Sequence, residues 1–501
     1  MMMLTEELSA EQRSVLEDVL AGKNVFFTGN AGTGKTFLLK RIVQALREKY
    51  SEAFGEKVAV VATTGIAATH VGGITINAAL GIGAPSLYRD FRTMHRTDNS
   101  TRIRRWKVLV IDECSMMSAE FFEEVEFMLR EVRDSALPAG GLQLVVTGDF
   151  FQLPPVTRPL LPDTAKDAFL NFGYAFQCPA WRTCRMQASL LTKVFRQTDM
   201  EFMALLDAIR DGKMPAAPKA VRRLVELCKR PIAVENGVKP TQIFSKNKDV
   251  DEMNAMELAR LACTLVQFGS KDDVVFEAHL KEVGSEKDFG AALVKLKRNE
   301  FFRDCLAPPL LRLCVGAQVM LLKNLDTSAN LVNGSRGVVV GFTTVTAAAG
   351  AVPIVRFTDG TRVEIPPAKF SSSVHGTGEC VRIQVPLKLA WAITVHKSQG
   401  MTLDLVRVSL RSMFCVGQAY VALSRARSLE GLEIIDWEDG CARSDPAVRE
   451  FHAILMAQKA TDNNNSNNNS NSNNISNESA DDPRWTAWKQ QRVEMAPKRQ
   501  L

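Results

Sequence analysis

Several features that define large classes of proteins are missing from this 501-residue chain. No apolar run approaches the ~18 residues that cross a membrane as a helix, and Met1–Glu7 lacks the basic and apolar segments of a secretory signal. Ten cysteines are present without a C-x-x-C pair and without histidines at zinc-binding spacing. We therefore expect no membrane contact, no disulfide framework and no metal cluster.

An excess of charge of one sign is also missing. The chain carries 62 Lys and Arg residues against 56 Asp and Glu residues, a net charge of +6. Because the net positive charge is small, any nucleic acid would be expected to bind in a local basic groove rather than to the whole surface. The length favours about three domains, and we found no internal repeat.

What the sequence does contain is a series of buried strands with polar ends. Four apolar runs, Val25–Phe27, Val58–Ala62, Val108–Ile111 and Leu142–Val146, are each followed closely by polar residues or glycine. Continuous β-rich runs are typical of parallel strands that are buried on both faces. The residues that follow them should meet at the carboxyl edge of an α/β sheet, where such sheets bind ligands.

The first of these runs leads into a phosphate-binding loop. Residues 29–36 read GNAGTGKT and fit the pattern G-x-x-x-x-G-K-[ST] between a strand and a helix. Lys35 is placed to reach the outer phosphates of a nucleotide, and the Thr36 hydroxyl is placed to ligate magnesium. The candidate nucleotide-binding residues are Gly29, Asn30, Ala31, Gly32, Thr33, Gly34, Lys35 and Thr36.

Further polar residues complete a hydrolysis site. Asp112 and Glu113 end the third run, where an aspartate can hold magnesium and a glutamate can polarise water. Gln152, in the segment GDFFQLPP, follows the fourth run and is a candidate sensor of the γ-phosphate. Gln12 precedes the first strand, and its amide suits an adenine edge, although a surface glutamine would fit the sequence equally well.

Two arginines and one short segment could complete a cleft. Arg196 and Arg425 would each give a γ-phosphate a permanently charged fork, but the local pattern alone is also typical of surface arginines. The segment TVHKSQG at 394–400 offers small donors and a cation to a phosphodiester backbone. A basic and aromatic cluster at 102–107 either steers a strand or forms a solvated face.

The second half contains another α/β pattern. Thr241–Ser245, Leu405–Leu410 and Leu432–Ile435 are predicted strands, and Gly417–Ala426 is a predicted helix. Short β-like runs broken by Gly and Pro predict a β-rich insertion at 335–385.

Two other segments differ in composition from the rest of the second half. Residues 264–305 are rich in charge and are predicted to be helical, and the sequence indicates no role for them. The Asn- and Ser-rich tail at 457–501 is predicted to be disordered.

Taken in order, these blocks resemble the petite-integration-frequency helicases, relatives of the RecD-like branch of helicase superfamily one. The resemblance spans roughly residues 5–440. It rests on the blocks at 29–36, 63–68, 111–116, 148–155, 195–197, 331–337, 389–400 and 417–425.

The resemblance implies an α/β protein with two RecA-like (P-loop) parallel-sheet lobes, at 1–190 and at 191–334 with 386–456. It implies a small insertion at about 80–106 in the first lobe and an SH3-like insertion at 335–385 in the second. ATP and Mg²⁺ would lie between the lobes, and single-stranded DNA would cross their tops. The implied function is that of an ATP-dependent 5′-to-3′ DNA helicase in replication, repair, recombination or telomere maintenance, acting on duplex or forked DNA, and we expect a monomer. The N-terminal segment does not have the composition of a mitochondrial presequence, which favours the nucleus and leaves the cytoplasm and the mitochondrion open.

The resemblance also implies roles for individual residues. It assigns catalysis to Lys35, Glu113, Gln152, Arg196 and Arg425, and the metal to Thr36 and Asp112. It assigns DNA contacts to Thr64, Gly65, Thr394, His396, Lys397 and Tyr420.

One block departs from the family pattern. Thr75–Ala79 reads TINAA where the family shows a histidine and an aromatic residue, and one missing stacking ring costs about 1–3 kcal/mol at one base. Two alternatives therefore stay open, an ATP-gated clamp that does not separate strands and RNA as the tracking strand. RNA–DNA hybrids and four-stranded guanine DNA stay open as substrates.

Overall fold

The structure is a computed structural model, and the account below concerns the part of the chain that it describes. The described residues are 8–156, 171, 173–197, 199–214, 217–234, 236–276, 290, 293–294, 301–326, 331–344, 351–374, 378–410, 413–438 and 440–465. Within these ranges, no helix is both long enough and apolar enough to span a membrane.

Strands and short helices alternate along most of the chain. The strands are β1 Val25–Gly29, β2 Val58–Ala62, β3 Ile74–Thr75, β4 Val108–Asp112, β5 Gln143–Thr147, β6 Gln187–Leu191, β7 Thr241–Phe244, β8 Val266–Gly269, β9 Lys271–Phe276, β10 Leu310–Leu313, β11 Gln318–Leu321, β12 Arg336–Thr344, β13 Ala351–Phe357, β14 Arg362–Glu364, β15 Ala368–Val374, β16 Gly378–Gln384, β17 Leu387–Leu389, β18 Ala392–Thr394, β19 Val406–Ser409 and β20 Leu432–Asp436.

The helices include five short 3₁₀ turns. The α-helices are Ala10–Leu20, Lys35–Tyr50, Phe54–Lys57, Gly65–His70, Ile76–Leu80, Thr97–Arg105, Ala119–Arg133, Pro179–Thr183, Met200–Arg210, Lys219–Leu227, Asn247–Arg260, Phe301–Asp304, Val395–Ser398, Gln418–Leu423 and Pro446–Asn465. The 3₁₀ turns described are Ser51–Ala53, Tyr88–His95, Cys114–Met116, Pro138–Gly141 and Ala175–Gln177.

The first lobe is built on a parallel sheet with the strand order β3-β2-β4-β5-β1-β6. Every residue of β1, β2 and β4 is buried, which explains why these strands read as continuous apolar runs. The four predicted strands and the α/β class are confirmed. The edge strands β3 and β6 were not predicted, because β3 has only two residues and β6 is only partly buried.

A second parallel sheet, with the order β18-β7-β19-β20, forms the second lobe. Three of its strands coincide with the predicted runs. The two parallel sheets agree with the predicted pair of P-loop lobes. In the described part of the chain, the carboxyl edge of the first sheet and the segments of the second lobe that precede β19 and β20 line a shared cleft of about 1690 Å³.

The β-rich region is larger than predicted. Antiparallel sheets with the orders β14-β13-β12-β11-β17 and β15-β16-β9, and the pair β10-β8, extend from residue 266 to residue 389 rather than over 335–385 alone. The helix-like interpretation of 264–305 is therefore wrong where β8 and β9 lie. The charges that suggested a helix are paired across strands: Asp272 of β9 forms a 2.6 Å ion pair with Arg382 of β16.

The helix Pro446–Asn465 returns from the second lobe to pack on the first. The Phe451 ring stacks on Phe176 with centroids 4.2 Å apart, and Lys459 Nζ donates hydrogen bonds to Glu11 and, at 2.9 Å, to the Leu190 carbonyl. Since the helix continues to residue 465, the predicted disorder is wrong for residues 457–465. Residues 466–501 lie outside the described part of the chain.

Candidate nucleoside triphosphate site

The phosphate loop joins β1 to the helix Lys35–Tyr50. Gly32 and Gly34 adopt φ values of +86° and +79°, in the left-handed region that favours glycine. A Cβ atom on Gly32 would lie 2.8 Å from Arg196 Cβ, and one on Gly34 would lie 2.8 Å from Gln12 Nε2. The loop therefore needs glycine both for its curvature and for the close approach of its neighbours.

The Lys35 ammonium group lies across this loop. Its Nζ donates hydrogen bonds of 2.8 and 3.0 Å to the carbonyls of Gly29 and Asn30. Burial lowers the pKa of Lys35, while the carboxylates of Asp149 and Glu113 act in the opposite direction. Because burial disfavours the charged form of Lys35, additional negative charge nearby, such as that of a polyphosphate, would stabilise its ammonium group.

Two crowded carboxyl groups lie at the end of β4. Burial, followed by the charge of Glu113, raises the pKa of Asp112 to about 8, and Asp112 Oδ1 accepts a 2.8 Å hydrogen bond from the Glu113 N–H. Glu113 itself adopts φ +53°, a left-handed conformation at the turn after the strand. Because adjacent buried carboxylates repel each other, this pair suits a divalent cation.

A buried ion pair that the sequence analysis missed lies beside these carboxyl groups. Asp149 Oδ1 lies 3.3 Å from Arg210 NH2, and Asp149 Oδ2 accepts a 3.1 Å hydrogen bond from Gln152 Nε2. Burial opposes ionisation of Asp149, but Arg210 and then Lys35 outweigh it, so the pKa of Asp149 lies below its ordinary value. Gln152 is thus oriented by Asp149 at the sheet edge where it was predicted.

The two predicted arginines lie close together where the lobes meet, Arg196 beside the phosphate loop and Arg425 in the second lobe. Arg196 lies in the segment after β6, where the Phe195 N–H donates a 2.8 Å hydrogen bond to the Gly32 carbonyl, and Arg196 NH1 lies 3.2 Å from the Ser424 carbonyl. Burial and then Arg196 lower the pKa of Arg425 to about 9. Two buried guanidinium groups that repel each other fit a polyanionic ligand.

Gln12 lies at the other end of the loop. Its Oε1 accepts a 3.1 Å hydrogen bond from the Ser9 N–H as part of a capping box, and its Nε2 donates a 3.3 Å hydrogen bond to the Thr33 carbonyl. The residue is buried beside the phosphate loop rather than on the surface. Its role toward an adenine edge stays a prediction.

The structure does not place Tyr420 on a DNA face. Tyr420 is 3% exposed, and its hydroxyl accepts a 2.7 Å hydrogen bond from the Ala31 N–H of the phosphate loop. The family block that contains Tyr420 forms the buried helix Gln418–Leu423, so this side chain belongs to the nucleotide cleft. In this structure the Tyr420 side chain faces the nucleotide cleft, and a DNA contact at Tyr420 stays a prediction, as it does at the equally buried Thr394.

The other predicted DNA residues lie at two matching positions. Thr64 Oγ1 caps the helix Gly65–His70 through the Ala67 N–H at 3.2 Å, and Thr394 Oγ1 caps the helix Val395–Ser398 through the Lys397 N–H at 3.3 Å. Each cap follows the carboxyl end of a strand, β2 in one sheet and β18 in the other. Gly65, His396 and Lys397 are exposed. These residues thus begin equivalent short helices in the two lobes.

Contacts between the lobes were not predicted. Gln399 Nε2 of the second lobe donates a 3.0 Å hydrogen bond to Glu113 Oε2 of the first, and Asn333 Nδ2 lies 2.9 Å from His70 Nε2. Gln399 lies in the segment 394–400 that was proposed to contact a phosphodiester backbone. Its contact with Glu113 could not be predicted, because the two residues are 286 positions apart and the local sequence does not indicate the pairing.

Comparisons with known proteins give the family of this chain. The PIF1-like helicase family model matches residues 7–220, and the model named DNA helicase Pif1, 2B domain, matches residues 298–342. The Xenopus laevis ATP-dependent DNA helicase PIF1 is 41% identical over 90% of this chain and 65% of its own length. This chain therefore spans slightly less than two thirds of that relative.

Solved structures resemble the whole described fold. The crystal structure of Pif1 helicase from Candida albicans is 34% identical, with a TM-score of 0.67 over 89% of this chain and 99% of that chain. Pif1 helicase from Bacteroides in complex with ADP-AlF3 and single-stranded DNA is 28% identical, with a TM-score of 0.60 over 90% and 98% of the two chains.

Proposed function

Since the chain belongs to the PIF1-like helicase family, we propose that it is an ATP-dependent DNA helicase that travels 5′ to 3′ on single-stranded DNA and unwinds duplex or forked DNA. The observation that carries the proposal is the cleft itself. Lys35 and Glu113 of the first lobe face Arg425 of the second across one buried site, so that hydrolysis and lobe movement are joined.

The first lobe would bind ATP and activate water. The loop amides and Lys35 hold the β- and γ-phosphates, and Gln12 lies at the nucleoside end. Thr36 and Asp112 would hold Mg²⁺, which neutralises phosphate charge when bound. Glu113 accepts a proton from the attacking water, and Gln152 orients that water.

Two arginines where the lobes meet would stabilise the charge that develops on the γ-phosphate. Arg196 and Arg425 are the candidate donors, because a guanidinium stays charged at neutral pH even where burial lowers its pKa. Closing around ATP and opening after hydrolysis would move the two lobes relative to each other.

DNA would be held by the two matching helix starts. Thr64 and Gly65 in the first lobe, and Thr394, His396 and Lys397 in the second, would contact phosphodiester oxygens in turn as the cleft closes. The Bacteroides Pif1 complex with ADP-AlF3 and single-stranded DNA supports single-stranded DNA as the ligand, while the contact residues rest on the geometry of this chain. We extend it to a monomeric enzyme, with RNA–DNA hybrids and four-stranded guanine DNA as further substrates to test.

Lys35→Ala tests the proposal against the clamp alternative. We expect this variant to lose DNA-stimulated ATPase and strand displacement while keeping its fold. Lys49→Ala, at the exposed end of the same helix, is the matched control and should keep both activities. ATPase without displacement in the wild-type protein would favour the clamp, and displacement by Lys35→Ala would contradict the helicase assignment.

A further inference from the structure

One short loop of the second lobe contacts a candidate catalytic group from each side of the cleft. Residues 398–401 follow the helix Val395–Ser398, which carries His396 and Lys397. Within this loop, buried Gln399 donates a 3.0 Å hydrogen bond to Glu113 Oε2, which is the carboxylate proposed to activate water.

The same loop also engages Arg425. Arg425 NH1 lies 3.2 Å from the Met401 carbonyl and 3.4 Å from the Ser398 carbonyl. Arg425 Nε and NH2 donate to the Val421 carbonyl at 2.8 Å and to Ser424 Oγ at 2.8 Å. A guanidinium has five N–H donors, so four contacts leave Arg425 little capacity to grip a phosphate. It has to give up some of these contacts to act on ATP.

The loop is tied mechanically to the proposed DNA-contact helix. The Gln399 N–H donates a 3.3 Å hydrogen bond to the His396 carbonyl, and the Met401 N–H donates a 3.0 Å hydrogen bond to the Ser398 carbonyl. A displacement of His396 therefore moves Gln399 with it.

The first lobe has a similar connection. Thr63, the residue before Thr64, donates a 2.8 Å hydrogen bond from Oγ1 to the Glu113 carbonyl. Glu113 is thus contacted from both proposed DNA-binding segments, at its backbone from the first lobe and at its carboxylate from the second.

We propose that Gln399 is a positioning residue that restrains Glu113, and the same loop restrains Arg425, until single-stranded DNA displaces the helix Val395–Ser398. DNA binding then frees the Glu113 carboxylate to accept a proton from water and frees Arg425 for the γ-phosphate. This inference rests on the proposed function, and it names the contact through which DNA stimulates hydrolysis.

The test compares ATP turnover with and without a single-stranded oligonucleotide. Gln399→Met keeps the length of the side chain but removes the donor, and Gln399→Asn keeps the amide but is too short to reach Glu113. We expect both variants to raise turnover without DNA about tenfold, as for the loss of one hydrogen bond to a charged group. The DNA-stimulation ratio should fall by the same factor, with KM for ATP unchanged and DNA affinity raised by up to about that factor, because DNA no longer has to break the contact. Gln267→Met, on exposed strand β8, is the control.

Three results would decide against the inference. If turnover falls equally with and without DNA, Gln399 supports catalysis rather than restraining it. If both rates stay unchanged while the variants bind DNA normally, the contact has no role in coupling. In either case the wild-type protein still responds to DNA, and the proposed function stands. A wild-type protein whose ATPase does not respond to DNA would overturn the inference and weaken the helicase proposal.

Discussion

The backbone N–H of Ala31 in the phosphate loop donates a 2.7 Å hydrogen bond to the hydroxyl of Tyr420 in the second lobe. Both groups are buried, so the bond is shielded from competing water. The glycine-rich loop is therefore held directly by the second lobe. Under the proposed function, this contact would link nucleotide binding to the position of the second lobe.

Tyr420→Phe tests the relocation of this residue from the DNA face to the nucleotide cleft. Removing the hydroxyl leaves the Ala31 N–H without this partner, at a cost of about 1 kcal/mol. We expect KM for ATP to change by up to about tenfold, and single-stranded DNA affinity to stay within about twofold. Fluorescence anisotropy with a labelled oligonucleotide, beside ATPase kinetics, separates the two effects. A loss of DNA affinity with unchanged KM would restore the DNA-contact assignment.

Arg425 should contribute to the transition state more than to ATP binding. Arg425→Ala is expected to lower kcat by about 10²–10⁴ while KM for ATP changes only a few-fold, because a charge on the γ-phosphate develops during transfer. Arg425→Lys should not restore turnover, since an ammonium cannot reproduce the planar fork. Single-turnover kinetics in the presence of DNA measures the effect. Unchanged turnover in Arg425→Ala would remove Arg425 from the catalytic groups, and full turnover in Arg425→Lys would contradict the need for the planar fork.

Loss of Arg210 should destabilise the first lobe. Arg210→Met leaves the fully buried Asp149 carboxylate without its ion-pair partner, which costs about 3–5 kcal/mol of the free energy of unfolding. Lys213→Met breaks a surface pair with Asp211, the residue directly after the same helix, and should cost less than about 1 kcal/mol. Chemical denaturation compares the two variants, and equal losses would contradict the account of this pair.

The same pair predicts a pH dependence. The folded pKa of Asp149 lies below its ordinary value of 3.8, so its ionised form stabilises the wild-type protein above that value. This stabilisation is lost as the pH falls through the lowered pKa. In Arg210→Met the pKa of Asp149 should rise, and protonation then removes the unpaired charge. We expect the difference in Tm between variant and wild type to narrow as the pH falls below about 5. A constant difference would contradict the electrostatic cause.

The returning helix Pro446–Asn465 should be part of the first lobe's core. Phe451→Ala removes a ring that stacks on Phe176, and a buried Phe-to-Ala change costs about 3–5 kcal/mol. Met456 lies on the same helix and is 48% exposed. The free energy of unfolding of Met456→Ala should stay within about 0.5 kcal/mol of the wild-type value. Thermal unfolding checks both, and a wild-type Tm for Phe451→Ala would mean that the helix does not stabilise this lobe.

Sequence patterns predicted the parts of the site that lie on regular strands. Asp112 and Gln152 follow apolar runs, and parallel strands bring such ends to one sheet edge. Lys35 follows from the glycine spacing alone. The local sequence around each of these residues is enough to predict its position, because strand direction and loop curvature depend on neighbouring residues in the chain.

The features of the site that could not be predicted depend on contacts between segments that are distant in the sequence. Tyr420 sits in a helix whose two sides look alike in sequence, so the pattern could not tell the DNA face from the nucleotide cleft. Asp149, Arg210 and Gln399 act through partners on other elements. The segment that contains β9 was interpreted as a helix because it is rich in charge. Arg382, the partner that pairs with Asp272 across the sheet, lies 110 residues away and could not be recognised from the local sequence. Burial and pairing, rather than local propensity, decide such positions.

Displacement of a labelled strand from duplexes with a 5′ or a 3′ single-stranded tail tests the central claim most directly. We predict ATP-dependent displacement from the 5′-tailed substrate by the wild-type protein, none by Lys35→Ala, and little from the 3′-tailed substrate. A preference for the 3′ tail would contradict the proposed direction of travel. Brisk DNA-stimulated ATPase without displacement from either substrate would contradict strand separation itself.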